Sequence, residues 1–343
     1  MDRIAVLGAG SWGTAQAILL SGKTRQLALW GRAEDGLESI MKERENKKFL
    51  PGVILPDNIE VVNELAAAVA GAELIVLAVP SQALRSVLKL LQPLLRPETV
   101  MVNTAKGLEI ETGMRMSQVT ADVLGEDILQ RYAVLSGPSH AEEVARRVPT
   151  VVTVASPARD TAFLVQDTYM SPVFRVYTNP DVAGVELGGA LKNIVALATG
   201  MCDGLGFGDN TRAALMTRGL TEITRMGVAM GGDYRTFSGL SGMGDLVVTC
   251  ASKYSRNRRA GELLGRGYSM EQALQEIGMV VEGAHTVRVV NTVAERLRVE
   301  MPISRACYGI LYEARSTRET VEMLMKRRRK HELEEIAVNI KGW

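Results

Sequence analysis

The sequence has few residues of the kinds that hold metals or build disulfide frameworks. Its three cysteines, Cys202, Cys250 and Cys307, lie far apart without a Cys-x-x-Cys pair, and its three histidines are scattered. This pattern predicts buried reduced thiols and no metal site, and it gives no support to a histidine base. A Gly-x-Ser-x-Gly element is also absent, which argues against acyl transfer by a serine nucleophile.

An excess of charge of either sign is absent as well. Lys and Arg together number 40 and Asp and Glu 39, for a net charge of +1. The whole molecule therefore has no general attraction for nucleic acid or an anionic membrane, and any phosphate binding must be local. A basic run at Lys326–Lys330 leaves a docking or nucleic-acid surface open as an alternative. Because Glu332, Glu334 and Glu335 follow it, a solvated helix face is favoured.

Long hydrophobic runs and a signal-like segment are lacking too. Apolar runs such as Leu74–Val79 have the length of a strand, below the roughly 20 residues that a membrane helix needs. The first apolar run, Ile4–Leu7, is too short for a signal peptide. These features predict a cytoplasmic protein without a membrane span, and 343 residues with 46% hydrophobic content suffice for two domains.

Two kinds of periodicity divide the chain. Up to about residue 178, short β-branched runs alternate with amphipathic stretches, as in parallel βαβ units. The predicted strands are Ile4–Leu7, Gln26–Trp30, Leu74–Val79, Thr99–Asn103, Ala133–Leu135, Val151–Ala155 and Phe174–Tyr177. Helical spacing of apolar residues then predicts helices at Val185–Met201, Ala213–Met230, Ser269–Ile277, Ala284–Leu297 and Thr317–Arg329. The prediction is an α/β fold, with a Rossmann-type doubly wound sheet in residues 1–180 and an all-α substrate-binding domain in residues 181–343.

A glycine-rich turn follows the first predicted strand. The glycines of Gly8-Ala9-Gly10-Ser11-Trp12-Gly13 fit three needs: a tight turn, room for a pyrophosphate, and close packing of the next helix. Backbone N–H groups at the start of that helix would meet the anion. The strand before this turn and the helix after it predict a dinucleotide site.

The choice of dinucleotide depends on the end of the second predicted strand. An acidic residue there normally holds the ribose hydroxyls of NAD, but this chain has Arg32 in Trp30-Gly31-Arg32. An arginine there is suited to a 2′-phosphate. The alternative, a solvated loop charge, stays open.

Two lysines are the best candidates for chemistry. Lys106 follows a predicted strand at its carboxyl end, where open α/β sheets bind ligands, although an ordinary loop lysine would look the same. Lys192, followed by Asn193, lies within a helix of small and apolar residues. Burying a cation there is costly without a partner or a function, and the alternative is a lysine that reaches solvent.

Another group of residues, separate from the glycine turn and the two lysines, has the composition of a phosphate site. A glycine loop with Asp245 is followed by Ser255, Arg256 and Asn257 at a probable helix start. Hydroxyl, guanidinium and amide groups at such a position suit a phosphate, while a purely structural loop is the alternative.

Seven motifs in order make the chain similar, over essentially its whole length, to bacterial NAD(P)-dependent glycerol-3-phosphate dehydrogenases. They are GAGSWG from Gly8, FLPG from Phe49, NTAKGLE from Asn103, LSGPSHAEEVA from Leu135, GVELGGALKNIVALATG from Gly184, SGMGDLVVTC from Ser241 with SRNRRAG from Ser255, and VVEGAHT from Val280. The resemblance implies NAD(P)H-dependent, reversible reduction of dihydroxyacetone phosphate to sn-glycerol 3-phosphate. It also implies supply of the backbone for phospholipid synthesis, and a homodimer.

The resemblance also implies roles for individual residues. Lys192 becomes the catalytic proton donor and acceptor. The implied substrate-binding residues are Lys106, Gly137, Ser139, Lys192, Asp245, Ser255, Arg256 and Asn257. The implied cofactor-binding residues include the glycines of the turn. They are Gly8, Gly10, Ser11, Trp12, Gly13, Arg32, Phe49, Lys106, Ala141, Arg256, Val280 and Glu282. Phe49 and His140 depart from the tyrosine and phenylalanine that the family often has there.

Two other functions fit the same sequence less well. A dehydrogenase of another small hydroxy acid or sugar phosphate would keep the fold, but it would not need the lysine helix together with the arginine cluster. A redox sensor would bind the dinucleotide without catalysis. The sequence leaves open the preference between NADH and NADPH and any inhibition by the product.

Overall fold

A single sheet organises the first half of the chain. The computed structural model describes residues 1–328 and residue 332. Within these residues the strands are β1 (Arg3–Leu7), β2 (Gln26–Trp30), β3 (Ile59–Val62), β4 (Leu74–Leu77), β5 (Val100–Asn103), β6 (Tyr132–Ser136), β7 (Thr150–Ala155) and β8 (Phe174–Asn179). Their spatial order is β3-β2-β1-β4-β5-β6-β7-β8. The first six strands thus have the order of a dinucleotide-binding fold, in which the crevice lies where the strand order reverses.

The two faces of the sheet are both buried. Ile4 and Val6 pack into one apolar cluster, whereas Ala5 and Leu7, the alternate residues of β1, pack into another. Alternate side chains of a strand point to opposite faces, so both faces are covered by helices. This explains why the strands are continuously apolar.

Two details of the sheet differ from the sequence prediction. The prediction missed β3, a four-residue edge strand in which buried and exposed residues alternate. It also predicted parallel units throughout, and this is wrong for β7, which runs antiparallel to β6. The connection between them contains only a five-residue helix. Parallel strands are usually joined by a helix that runs back along the sheet, and a five-residue helix is too short to do so.

Helices surround the sheet and form the second half. Those of the first half are α1 (Ser11–Ser21), α2 (Leu37–Glu43), α3 (Leu65–Val69), α4 (Leu84–Leu91), α5 (Met116–Leu124), α6 (Ala141–Ala145) and α7 (Arg159–Tyr169). The second half has α8 (Val182–Gly204), α9 (Asp209–Ala229), α10 (Asp245–Ala251), α11 (Arg256–Gly265), α12 (Met270–Ile277), α13 (Glu282–Leu297), α14 (Pro302–Tyr312) and α15 (Thr317–Met325). Sequence periodicity missed α10 and α14, whereas the helix start expected at Ser255, Arg256 and Asn257 is confirmed by α11. The helix predicted to reach Arg329 ends at Met325, and Arg329 and Lys330 of the basic run lie outside the described residues.

Helix α8 forms the centre of the helical half and contacts α9, α10, α11, α13 and α14. It is long and apolar enough to cross a membrane by length and composition, but 89% of its most apolar stretch is buried inside the protein. The sequence analysis overlooked this stretch because Glu186 and Lys192 interrupt it. A helix that is apolar on all sides is typical of a buried core. The domain boundary predicted at residue 180 stays a proposal, with β8 ending at Asn179 and α8 beginning at Val182.

A buried carboxylate connects α8 to the first half. Glu186 accepts hydrogen bonds from the Ser117 N–H and hydroxyl at 2.7 Å each, the Tyr132 hydroxyl at 2.8 Å and the Arg115 guanidinium at 2.8 Å. It is 5% exposed. This one buried carboxylate therefore accepts from four donors of the α/β half.

Replacing this carboxylate is expected to destabilise the protein. Glu186→Gln removes the negative charge that faces Arg115. It also replaces one carboxylate oxygen, which accepts hydrogen bonds, with an NH₂ group that would face other donors. We expect a loss of about 2 kcal/mol in the free energy of unfolding. Urea denaturation measures it, with the exposed Glu111→Gln as the matched control, expected to change stability by less than about 0.5 kcal/mol. Equal effects of the two variants would contradict a structural role for the Glu186 cluster.

Candidate active site

The lysine predicted within an apolar helix is buried and has two partners. Lys192 of α8 is 5% exposed. Its Nζ donates to a carboxylate oxygen of Asp245 and, at 2.7 Å, to the Thr249 hydroxyl. Both partners belong to α10, which begins directly after a π-helical turn at Leu240–Gly244. The partners offset the cost of burying the cation, and π-helical turns often lie at functional sites.

A second lysine reaches the same carboxylate from the α/β half of the chain. Lys106 follows β5, and its Nζ donates to Oδ2 of Asp245 at 2.6 Å and to the Gly137 carbonyl at 3.2 Å. Ser139 donates to the same carbonyl at 2.9 Å. Two predicted loops of the α/β half are thus joined to the lysine helix at one buried carboxylate.

The electrostatics of this cluster change the proton affinity of Lys192. Burial lowers its pKa to about 7, the charge of Asp245 opposes that shift, and the nearby Lys106 adds to it. Burial alone would raise the pKa of Asp245, but the charges of Lys106 and Lys192 outweigh burial and lower it. An amine with a pKa near 7 exchanges protons readily at neutral pH, which suits a general acid and base.

Two adjacent glycines let α8 approach the cluster. A Cβ at Gly188 would lie 2.6 Å from the Ser241 carbonyl oxygen, and one at Gly189 would lie 2.8 Å from the Ser136 hydroxyl oxygen. Side chains at either position would push α8 away from the loops before α10 and after β6. The glycine pair therefore sets the distance between Lys192 and its partners.

The predicted phosphate cluster lies beside the lysine. Ser255 caps α11 by accepting from the Arg258 N–H at 3.2 Å, and Arg256 and Asn257 follow it. Asn257 donates to the Asn193 side chain at 2.9 Å and accepts from the Gly283 N–H at 2.8 Å. Because Asn193 follows Lys192 directly, this contact holds the start of α11 next to the lysine.

Arg256 keeps most of its donors. One terminal nitrogen donates to the Val280 carbonyl at 3.1 Å, and the side chain is partly exposed. A guanidinium has five N–H donors, so several remain for an anion. The first N–H groups of a helix also lack partners within it, which adds donors and a partial positive charge at the same place.

The glycine-rich turn has the geometry that a dinucleotide needs. Gly8 has φ 124°, and a Cβ there would lie 2.6 Å from the Ala78 carbonyl oxygen. A Cβ at Gly13 would lie 1.8 Å from the Gly8 carbonyl oxygen, whereas a Cβ at Gly10 would meet nothing within 4 Å. Gly8 thus permits the tight turn, and Gly13 permits close packing of α1 against that turn. Gly10 borders open space. No side chain caps α1, so its first N–H groups are available.

Sequence reasoning missed the residue that holds this turn. Asn46 is fully buried and donates to the Ala9 carbonyl and the Thr14 hydroxyl, both at 2.8 Å. Its oxygen accepts from the Phe49 N–H at 3.2 Å. The only signal was an amide three residues before Phe49 in Asn46-Lys47-Lys48-Phe49, which has no known turn pattern of its own.

Arg32 lies in the predicted loop, but it already has acidic partners. Its side chain is 62% exposed, pairs with Glu34 at 2.6 Å and reaches Asp35 at 3.3 Å. The hydrogen bond to Asp35 raises the pKa of Arg32 further. A 2′-phosphate would therefore compete with two carboxylates for this guanidinium, which the sequence analysis did not foresee.

The remaining predicted cofactor residues lie on both halves. Ser11 and Trp12 begin α1, Ala141 begins α6, and Val280 precedes α13. Both oxygens of Glu282 are engaged by Ser81, which donates its N–H at 3.1 Å and its hydroxyl at 2.7 Å. Since Ser81 follows β4, Glu282 links the helical half to the sheet. Among the described residues, no group of three His, Cys, Asp or Glu side chains is placed to hold a metal.

His140 lies beside the lysine cluster and stays neutral. Burial lowers its pKa to about 4, and the positive charge of Lys192 adds to the shift. Its Nε2 is buried without a partner in the described part of the chain. The neutral imidazole packs next to Tyr254. It is uncharged and aromatic, like the phenylalanine that the family often has at this position.

A Rossmann-type sheet with a glycine turn, next to a buried lysine of lowered pKa and an arginine-bearing helix start, defines an NAD(P)-dependent dehydrogenase. Two family models match: NAD-dependent glycerol-3-phosphate dehydrogenase N-terminus over residues 3–162 and the corresponding C-terminus over residues 181–322. The chain belongs to this family of oxidoreductases.

Individual relatives agree with that assignment. Glycerol-3-phosphate dehydrogenase [NAD(P)+] from Syntrophomonas wolfei is 64% identical over the full length of both chains. The enzyme of the same name from Moorella thermoacetica is 57% identical, with 97% of this chain and 98% of the relative covered. The crystal structure of glycerol-3-phosphate dehydrogenase from Coxiella burnetii superposes with a TM-score of 0.91 at 39% identity, covering 95% of this chain and 99% of that one.

Proposed function

We propose that the protein catalyses the reversible NAD(P)H-dependent reduction of dihydroxyacetone phosphate to sn-glycerol 3-phosphate, which supplies the backbone of glycerophospholipids. The observation that carries the proposal is the position of Lys192, hydrogen-bonded to Asp245 and adjacent to the start of α11 with Arg256. A proton donor and a phosphate-binding group at neighbouring positions match a small phosphorylated ketone.

In the proposed reaction Lys192 handles the proton. The nicotinamide, when bound, supplies or accepts the hydride at the substrate carbon. Negative charge then develops on the carbonyl oxygen, and the Lys192 ammonium neutralises it by donating a proton. Asp245 and Thr249 hold Nζ in position, and Lys106 adds positive charge near the same oxygen.

The other proposed contacts surround this centre. Arg256 binds the substrate phosphate, with help from Asn257 and the N–H groups that begin α11. The remaining proposed substrate residues are Lys106, Gly137, Ser139, Asp245 and Ser255. The proposed cofactor residues are those of the glycine turn with Arg32, Phe49, Lys106, Ala141, Arg256, Val280 and Glu282.

Product analysis tests the proposed function directly. The purified protein is incubated with NADPH or NADH and dihydroxyacetone phosphate, and the product is assayed with an enzyme specific for the sn-3 enantiomer. The proposal expects one sn-glycerol 3-phosphate for each cofactor oxidised. Oxidation without this product, or a racemic product, would refute it. The proposed homodimer is tested separately by light scattering.

The pH dependence follows from the lowered pKa of Lys192. Below pH about 7 the amine carries the proton that reduction needs, and above it the neutral amine is the base that oxidation needs. We expect kcat/KM for ketone reduction to fall as pH rises through about 7, and kcat/KM for alcohol oxidation to rise over the same interval. Parallel pH profiles for both directions would contradict this assignment. Asp245→Asn should move both inflections to lower pH, because it removes the charge that favours the ammonium.

Cofactor preference is expected to depend on Arg32. The wild type should use NADPH at least as well as NADH, because the guanidinium offers donors to a 2′-phosphate. Arg32→Asp removes that attraction and adds repulsion, so NADPH efficiency should fall by about 2 kcal/mol while NADH changes little. The measurement is kcat/KM for both cofactors at low and high salt, since screening weakens an exposed pair. If Arg32→Asp left the ratio of kcat/KM for NADPH to kcat/KM for NADH unchanged, Arg32 would not bind the 2′-phosphate. Its partners would then be only Glu34 and Asp35.

A further inference from the structure

A carboxylate of the helical half reaches the crevice of the sheet. The strand order reverses beside β1 and β4, and a dinucleotide crosses such a sheet at that point. Ser81 follows β4 there, and Glu282 is the first residue of α13. Oε1 of Glu282 accepts from the Ser81 N–H at 3.1 Å, and Oε2 accepts from the Ser81 hydroxyl at 2.7 Å. A carboxylate from the second half is therefore held at the crevice of the first half.

A neighbouring amide determines the direction of the Ser81 hydroxyl. Nε2 of Gln82 donates to Oγ of Ser81 at 3.1 Å and to the Leu108 carbonyl at 2.8 Å. Oε1 of Gln82 accepts from the Ile110 N–H at 3.0 Å, which fixes the amide at both ends. Because Ser81 accepts from Gln82, its own hydroxyl proton is directed to Glu282. The position of the carboxylate is thus set by a chain of buried and half-buried polar groups.

The same carboxylate lies against the loop that carries Lys106. A Cβ at Gly107 would lie 2.5 Å from Oγ of Ser81 and 3.2 Å from Oε2 of Glu282. Gly107 follows Lys106, whose Nζ shares a carboxylate partner with Lys192. Hydride transfer in the proposed reaction requires the nicotinamide ring to lie next to the substrate carbon beside Lys192. The ring and the Glu282 carboxylate are therefore expected in the same region.

The two redox forms of the cofactor differ in charge at that ring. The oxidised nicotinamide ring carries a positive charge, whereas the reduced ring is neutral. A fixed carboxylate attracts only the charged ring, and the attraction is stronger in a site that is partly shielded from water. Glu282 is half-buried, and its charge already acts on another cation of the site: burial lowers the pKa of Arg256, and the charge of Glu282 opposes that shift.

We propose that Ser81, itself held by Gln82, positions the Glu282 carboxylate so that it stabilises the oxidised dinucleotide relative to the reduced one. The inference rests on the proposed function, which requires both forms of the cofactor to bind. Ser81 is a positioning residue, because it acts through Glu282. The helical half thereby influences which redox form is retained at the sheet.

Binding of NADH and NAD⁺ without substrate tests the role of the charge. Isothermal titration calorimetry gives the dissociation constant of each form for the wild type and for Glu282→Gln, which removes the charge and keeps one acceptor oxygen for Ser81. We expect the constant for NAD⁺ to rise at least about threefold more than the constant for NADH. NADPH and NADP⁺ give the same comparison. Glu295→Gln, at an exposed position of the same helix, is the matched control and should change neither constant.

Ser81→Ala tests the positioning. It leaves the carboxylate only the hydrogen bond from the backbone N–H of residue 81, so the preference for NAD⁺ should weaken by less than in Glu282→Gln. In the Glu282→Gln background, Ser81→Ala should weaken it no further, because the charge that Ser81 positions is gone. A merely structural role of Ser81 would instead weaken binding of both forms equally in either background.

Three results would overturn the inference while leaving the proposed function intact. They are equal changes of the two dissociation constants in Glu282→Gln, a change in Glu295→Gln as large as that in Glu282→Gln, and an undiminished effect of Ser81→Ala in the Glu282→Gln background. A wild-type protein that bound neither redox form would refute the inference and the proposed function together.

Discussion

Lys192→Ala is expected to lower kcat by roughly 100 to 10,000-fold, the usual contribution of a positioned acid or base. The Lys192 ammonium is the group that would donate the proton to the carbonyl oxygen. The fold should survive, because Asp245 keeps its hydrogen bond from Lys106 and is not left as an unpaired buried charge. Dinucleotide binding should also be nearly unchanged, since the glycine turn between β1 and α1 does not contain Lys192.

The measurement for Lys192 is steady-state kinetics together with cofactor binding by fluorescence. Lys253→Ala, an exposed lysine on the loop after α10, is the matched control and should leave kcat unchanged. A Lys192→Ala protein that keeps more than about a third of the wild-type kcat would move the proton-transfer role to another residue, first of all Lys106.

Arg256→Ala is expected to reduce kcat/KM for dihydroxyacetone phosphate by about 2 to 4 kcal/mol, or roughly 30 to 1,000-fold. A charge-assisted contact with phosphate is among the stronger polar interactions. Arg256→Lys should recover only part of the loss, because an ammonium lacks the planar fork. The alanine variant keeps the Asn257 contacts to Asn193 and Gly283, so α11 should stay in place.

The comparison substrate for Arg256 is unphosphorylated dihydroxyacetone. Its turnover is expected to be poor in the wild type and to change little in Arg256→Ala. Arg259→Ala, an exposed arginine on the same helix, should affect neither substrate. Equal losses for both substrates would instead assign Arg256 to the cofactor or to the structure.

Local patterns predicted the parts of the site that depend on short stretches of chain. The strand, turn and helix around Gly8 and Gly13 were predictable because steric rules at those positions act over a few residues. The burial of Lys192 with a partner was predictable from the cost of an isolated cation. Local patterns could not identify that partner, since Asp245 is 53 residues away in the sequence, and only the family resemblance placed it beside Lys192.

Contacts between distant segments could not be predicted from the sequence. Asn46 reaches Ala9 over 37 residues, and Glu282 reaches Ser81 over 201 residues. Neither residue belongs to a periodic or turn pattern that marks it. The direction of β7 was wrong for a related reason: hydrophobic periodicity reports burial, whereas direction depends on whether the connection crosses the sheet.

The ratio of kcat/KM for dihydroxyacetone phosphate to that for dihydroxyacetone, with saturating NADPH or NADH, tests the central claim most directly. The claim is that Lys192 protonates a ketone whose phosphate is bound by Arg256. We predict a wild-type ratio of about 100 or more, which collapses towards 1 in Arg256→Ala while both rates fall together in Lys192→Ala. A wild-type protein that reduced both substrates equally well, or neither, would contradict the account.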